Sequence, residues 1–297
     1  MKGIKMRVLV SYRGSPNIRG FETGHLISEA FRELGHEVFE YGNIYESNDL
    51  IGPGFRELYG HYKFQPDLWL AMETNDAENS IIQPKYLNPK KIAYWCFDIS
   101  MYPEHCKQYA ESIDAAHVFC ANPNYLRLFK AASFLPYAAA PQFIRPLNFA
   151  KQYDVGLVGS DRPERQALIA DLRAANINAH LITGVFREAY IDALASCKIV
   201  INDIAGGGKG LMSMRGLEAP AAGSLTIFED AEALGDLFIP GIDCLTYQDS
   251  KDLIAKCDSL LRDQQYLDQV RAAGQKRVLE NHMYVHRAQE ILDVIGY

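Results

Sequence analysis

The chain has 297 residues, of which 48% are hydrophobic and 23% charged, and its formal net charge is -7. That length predicts about two domains, and the composition is that of a globular chain rather than a disordered one. The acidic balance argues against a general nucleic-acid binder, no apolar run approaches the ~18 residues of a membrane span, and with no signal peptide at the start a cytoplasmic protein is expected.

The first half alternates strand and helix signals. MRVLVSY (6–12) predicts a buried strand, followed by a loop rich in Gly, Pro, Asn and Arg. FETGHLISEAFRELG carries a helical period through Leu26, Ile27, Ala30, Phe31 and Leu34 and stops at Gly35. HEVFEYG, PDLWLAME, KIAYWCFD and AAHVFCA are further runs of strand length. Between Pro136 and Ala150 three prolines break the pattern, which reads as a linker. Domains are therefore expected at 1–147 and 148–297.

The second half repeats the alternation. YDVGLVGS is a strand, and DRPERQALIADLRAAN a helix with capping-box spacing between Asp161 and Glu164 and with Pro163 in its first turn. AHLITG, KIVIND and SLTIFED are strands, REAYIDALASC is a helix, and the chain after Ser250 is mostly helical. Such alternation predicts parallel sheets covered on both faces. The expected fold class is thus α/β, with two parallel-sheet domains facing a central cleft lined by the carboxyl ends of their strands. The six cysteines, at 96, 106, 120, 197, 244 and 257, show no C-x-x-C spacing and lie mostly in apolar runs. They predict buried, reduced thiols and a reducing compartment.

One stretch, AGGGKGLMSMRGLEAPAAGS (205–224), carries chemistry. It is not a P-loop, because Gly208-Lys209 is followed by Gly210 and Asp203 stands at the first glycine position. It is not a dinucleotide fingerprint either, because Leu211 stands at the third glycine position. Glycines after a strand still let a ligand approach the backbone, and a helix starting near Met212 would offer N–H groups to an anion. Arg215 and Glu218, three residues apart, share one helix face. They suit a phosphate and a ribose diol, since a carboxylate accepts two hydroxyl hydrogen bonds. The alternative is an ordinary ion pair on an exposed helix.

The blocks YDVGLVGSDRPERQALIADL, LITG, Tyr190, CKIVIND, MSMRGLEAPAAGSLTIFED and AGQKRVLENHMYVHR occur in this order. The series resembles the C-terminal half of the CgeB-like glycosyltransferases, of the broad glycosyltransferase 1 and 4 group. The resemblance runs from Tyr153 to the end; before it, WCFD ending at Asp98 resembles an aromatic-rich strand of that family. It implies the GT-B fold of two Rossmann-like domains, with a nucleotide-sugar donor, a UDP-sugar by preference, held by the second. It further implies Glu218 at the donor ribose, Ser213, Met214 and Arg215 at the diphosphate, Gly159, Ser160 and Arg165 near the phosphates, and Gly184 and Val185 near the base. Arg165, Lys209 and Arg215 are the candidates to stabilise the leaving diphosphate, with no metal and no other cofactor obligatory. One departure stands out. Many retaining relatives carry a glutamate eight positions before Glu218, and this chain has Gly210 there.

On the acceptor side the candidates are Asp98, after strand KIAYWCF, and His25, just past the first loop. The acceptor class stays open: glycan, protein, small molecule or modified DNA base. An epimerase or hydrolase acting on the sugar nucleotide, or a non-catalytic binder, are the other functions to weigh. His282 and His286 have metal-chelating spacing without a third ligand, so a structural contact is expected of them. The last helix is expected to cross back to the first domain.

Overall fold

A computed structural model describes residues 5–14, 16–43, 65–72, 89–203, 212–229, 234–235 and 237–297. The chain divides into two compact units, Met1–Pro136 with Tyr284–Tyr297, and Tyr137–Met283. The division falls ahead of the 147/148 boundary expected from the prolines. The proline-rich stretch is packed: Tyr137 to Ala140 and Phe143 are buried, and Ala139 bridges to Met283.

The first unit is built on a six-stranded parallel sheet. Its strands are β1 (Arg7–Arg13), β2 (Glu37–Asn43), β3 (Leu68–Met72), β4 (Lys91–Cys96), β5 (His117–Cys120) and β6 (Ala132–Phe134), in the order β2-β1-β3-β4-β5-β6. All five residues of β3 are buried, and so are Ile92 to Cys96 of β4, as a sheet covered on both faces demands. The two tryptophans in these strands keep their N–H groups satisfied, Trp69 on Ser11 Oγ at 2.8 Å and Trp95 on the Leu135 carbonyl at 3.0 Å. Helices α1 (Thr23–Glu33) and α2 (Pro103–Ser112) belong to this unit, as does the C-terminal helix α8 (Tyr284–Ile295), which packs on α1. Lys91 Nζ reaches the Ile295 carbonyl, and the Tyr297 hydroxyl donates to Asp67 O at 3.1 Å.

Gly24 lies in the first turn of α1, pressed on Tyr12. A Cβ there would meet Tyr12 Cγ at 2.0 Å. Those atoms are at the root of the ring, so the side chain cannot swing clear. Gly24→Ala is expected to destabilise the first unit by about 1–3 kcal/mol, read as a lower urea midpoint by tryptophan fluorescence.

The second unit carries a five-stranded parallel sheet of β7 (Tyr153–Val158), β8 (Ala179–Ile182), β9 (Cys197–Asn202), β10 (Leu225–Phe228) and β11 (Leu245–Thr246), in the order β11-β10-β9-β7-β8. Its helices are α3 (Pro163–Ala174), α4 (Arg187–Ala195), α5 (Arg215–Ala221), α6 (Ser250–Arg262) and α7 (Gln264–Asn281). Val155, Leu157, Ile199, Ile201, Leu225 and Ile227 from the strands pack with Leu253, Cys257, Leu260, Leu267 and Val270 from α6 and α7. In both sheets the first strand lies between the second and the third. The chain therefore winds in opposite directions from one switch point, which in the second sheet lies between β7 and β9. All six cysteines are free and buried, three in each unit.

Two local expectations need correction. Helix α3 starts at Pro163 with Arg162 at the N-cap and no side-chain cap; Asp161 accepts instead from the Gln166 side chain at 2.7 Å. Helix α5 starts at Arg215 rather than near Met212. Its first N–H groups, at 216, 217 and 218, bond to the carbonyls of Ser213 and Met214, so they are engaged within the turn.

Candidate functional site

The switch point of the second sheet gathers a cluster of buried charged residues. Strand β7 ends at Val158, with Gly159 and Ser160 following, and β9 ends at Asn202, with Asp203 next. Asp203 faces two arginines. Arg165, from the first turn of α3, grips it with Nε on Oδ2 at 2.7 Å and Nη2 on Oδ1 at 3.0 Å. Arg215, the first residue of α5, adds Nη2 on Oδ1 at 2.5 Å. These three side chains are 7–9% exposed. Arg165 also donates to the Ser160 carbonyl and hydroxyl, and Arg215 to the carbonyls of Val158 and Ile201. Gly159 makes room for both guanidiniums, since a Cβ there would meet Arg215 Nη1 at 2.9 Å and Arg165 Nη1 at 3.2 Å.

Two buried guanidiniums share one carboxylate, which leaves a surplus positive charge at the carboxyl ends of β7 and β9. Each guanidinium carries five donors, and among the described residues Arg215 uses three. The cluster is charged, held rigidly, and keeps donor capacity.

Glu218, one turn along α5, is 3% exposed. It does not pair with Arg215 as the spacing allowed, because Arg215 turns to Asp203. The Tyr190 hydroxyl, from α4, donates to Glu218 Oε2 at 2.6 Å. Burial pushes the Glu218 carboxyl up to about 7, against the opposing pull of the Tyr190 hydrogen bond and the Arg215 charge. The exposed-ion-pair alternative is thereby replaced by a buried carboxylate on a helix whose seven residues are all buried.

The other second-unit candidates lie around this centre. Ser213 Oγ donates to Asn202 Oδ1, which ties the entry of α5 to the end of β9. Met214 is the N-cap of α5. Gly184 is exposed and Val185 half-buried, in the turn after β8. Lys209, Gly210 and the glycines 206–208 lie outside the described residues. His282 is buried, with Nε2 3.0 Å from the Leu237 carbonyl and its ring near Phe238.

In the first unit, Asp98 follows β4 and is half-buried. Its carbonyl accepts from Met101 N at 2.9 Å and Tyr102 N at 3.2 Å, closing the turn into α2. His25 Nδ1 lies 2.9 Å from Glu40 Oε1. Glu40 also accepts from the Tyr12 hydroxyl at 2.5 Å and from Arg32 Nη1 at 3.2 Å. Burial raises the Glu40 carboxyl, but these hydrogen bonds outweigh it and leave the group below its ordinary value. His25, Glu29 and Glu40 bring ligand atoms within 4.8 Å of one another. Arg32 bonds both carboxylates and so supplies the positive charge a cation would.

Three residues that organise these sites escaped the sequence reading: Asp203, Tyr190 as a hydrogen-bond donor, and Glu40. The position of Asp203 directly after an apolar strand was the available signal for it. Tyr190 had only its place in the block order, and Glu40 only a polar position in a half-apolar strand.

Residues 140–293 match the model of a family described as glycosyl transferase-like. The chain belongs to that family. Its enzyme class is that of the glycosyltransferases. The fold agrees: a sucrose-phosphate synthase from Thermosynechococcus elongatus superposes with a TM-score of 0.66 at 14% identity, over 98% of each chain. Anabaena HepE in complex with UDP-glucose gives 0.62 at 15%, over 98% of this chain and 99% of that one. AviGT4, a glycosyltransferase of avilamycin A biosynthesis, gives 0.65 at 14%, over 97% and 96%. These are GT-B structures, and the two parallel sheets of this glycosyltransferase follow the same plan. No curated protein is similar enough in sequence to count as a relative. Among the described residues no helix is long and apolar enough to cross a membrane.

Proposed function

We propose that the second unit binds a nucleotide-sugar donor, a UDP-sugar, and that the enzyme moves the sugar to an acceptor hydroxyl without a metal, as a member of the CgeB-like branch. The observation that carries this reading is the buried Arg165–Asp203–Arg215 cluster, one helical turn from the buried carboxylate of Glu218. A nucleoside diphosphate offers an anion to the first and a ribose diol to the second. The order of the sequence blocks supports the branch, and the UDP-glucose bound to HepE, a protein of the same fold, supports the donor.

In this reading the bond from the sugar's anomeric carbon to the diphosphate oxygen breaks, and negative charge grows on the leaving group. Arg165 and Arg215, fixed in place by Asp203 before the donor arrives, stabilise that charge without reorganising. Lys209 is proposed as a further cation, Ser160, Ser213 and Met214 as neighbours of the phosphates, and Gly184 and Val185 as neighbours of the base. On the first unit Asp98 and His25 are the proposed acceptor-side groups. With Nδ1–H donated to Glu40, His25 would keep Nε2 as the proton-accepting nitrogen.

Calorimetry against UDP, GDP, ADP, TDP and CMP and their common sugars tests this. Saturable binding of one nucleotide and its sugar, with donor turnover once an acceptor is supplied, is the expected result. No binding to any of them overturns it. Turnover of donor alone, to a new sugar or to free nucleotide, would assign an epimerase or hydrolase instead. Because Glu218 accepts two hydroxyls only as a carboxylate, donor affinity should be flat above about pH 8. It should fall below pH 7, by up to about tenfold per unit, as the group takes up its proton.

A further inference from the structure

Glu218 receives a direct hydrogen bond from a side chain on a different helix. Tyr190 sits on α4, and its hydroxyl donates to Oε2 at 2.6 Å. The contact is well inside the range of a charge-assisted O–H···O bond. A carboxylate has two oxygens and about four lone-pair positions. With Oε2 engaged by Tyr190, Oε1 faces no described donor. Burial and the neighbouring carboxylate hold the Tyr190 hydroxyl protonated, so it remains a donor at every working pH.

We propose that Tyr190 is a positioning residue for Glu218: it locks the carboxylate by Oε2, turns Oε1 to the donor's ribose hydroxyls, and stabilises the anion that the ribose requires. The proposal rests on the donor reading above and adds to it a residue with no assigned role. Arg215 makes no hydrogen bond to Glu218: its Nε, Nη1 and Nη2 are turned to the Ile201 and Val158 carbonyls and to Asp203.

The groups that act on Glu218 are few. Tyr190 comes from α4 and Arg215 from its own helix. Asp203, at the end of β9, is bonded to Arg215. Helix α7 packs on α5 through Gly274, beside Pro220, and through Gln275, whose side-chain amide donates to the Ala221 carbonyl; neither residue titrates. Lys151 lies at the far end of α5, on the Gly223 carbonyl. Removing the Tyr190 hydroxyl therefore takes away the one direct side-chain hydrogen bond to Glu218 among the described residues.

Tyr190→Phe, which loses a single oxygen, is the test, with UDP affinity measured by calorimetry from pH 5.5 to 9. A hydrogen bond to a charged group is worth enough to move the midpoint of the affinity–pH curve up by about one unit. At pH 8.5 the variant should bind within about threefold of wild type, and at pH 6.5 about tenfold more weakly. A purely structural role would lower the melting temperature and weaken binding equally at all pH values. A curve that superposes on wild type, or shifts uniformly, overturns the proposal. The carboxyl carbon-13 resonance of Glu218, identified by its loss in Glu218→Gln, gives a ligand-free readout. Its titration midpoint should rise in Tyr190→Phe, and an unmoved midpoint counts against the proposal. Failure of wild type to bind UDP at any pH would overturn the donor reading instead, and the resonance then decides whether Tyr190 stabilises the anion.

Discussion

Replacing Glu218 by alanine is expected to weaken donor nucleotide binding by about 100-fold at pH 8. Each ribose hydroxyl donated to an ionised carboxylate contributes about 1.5 kcal/mol or more, and two of them reach about 3 kcal/mol, or two decades in Kd. Glu218 is buried, with Oε2 held by Tyr190, so no surface relaxation replaces the lost group. The stability response should run the other way. The folded-state value, about 7, lies above the unfolded glutamate value near 4.3, so the native state binds this proton more tightly. The buried charge therefore costs stability, and the cost grows as pH rises from the unfolded value to the folded one. Glu218→Gln, which keeps the shape and discards the charge, should melt no lower than wild type at pH 8 while losing most UDP affinity. A variant that melts much lower, or that binds UDP like wild type, would contradict this account.

Asp203→Ala should be the most destabilising single substitution at the site. It leaves Arg165 and Arg215 buried without the carboxylate that bonds both. Breaking one side of a buried ion pair costs about 3–5 kcal/mol, because the remaining charge is neither solvated nor paired. For a unit of this size that corresponds to a fall of roughly 6–20 °C in melting temperature. Adding Arg165→Met to Asp203→Ala should recover part of the loss, since one uncompensated charge is then removed, and the recovery is read as non-additivity in a double-mutant cycle. A loss below about 1 kcal/mol would mean that the cluster is solvated rather than dry.

The long elements were legible because their periodicity is strong. Helix α7, residues 264–281, lies in the stretch after Ser250 that reads as mostly helical, and KIAYWC and YDVGLV read as strands because they are. Strands β6 and β11 were missed because three and two residues carry no period. Helix α2 was missed because its buried positions are only Cys106, Tyr109 and Ala110. At the candidate site, Arg215 and Glu218 were visible as a pair on one short helix. Arg165 was a candidate as well, but the pairing was not visible: Asp203, Arg165 and Tyr190 come from other elements, and spacing along the chain says nothing about which side chain a fold sets opposite another. The ion pair that the spacing allowed as the alternative does not form: Arg215 bonds Asp203, and Glu218 accepts from Tyr190.

The distribution of cysteines gives the molecule a built-in clock for local opening. Cys96, Cys106 and Cys120 are enclosed in the first unit, and Cys197, Cys244 and Cys257 in the second. A thiol reagent added to the native protein can react only when a unit transiently opens. The labelling rate of each cysteine therefore measures the opening free energy of its own surroundings. Mass spectrometry of the labelled peptides would follow the two halves of one unmodified chain separately, and a nucleotide that binds the second half alone would slow three of the six.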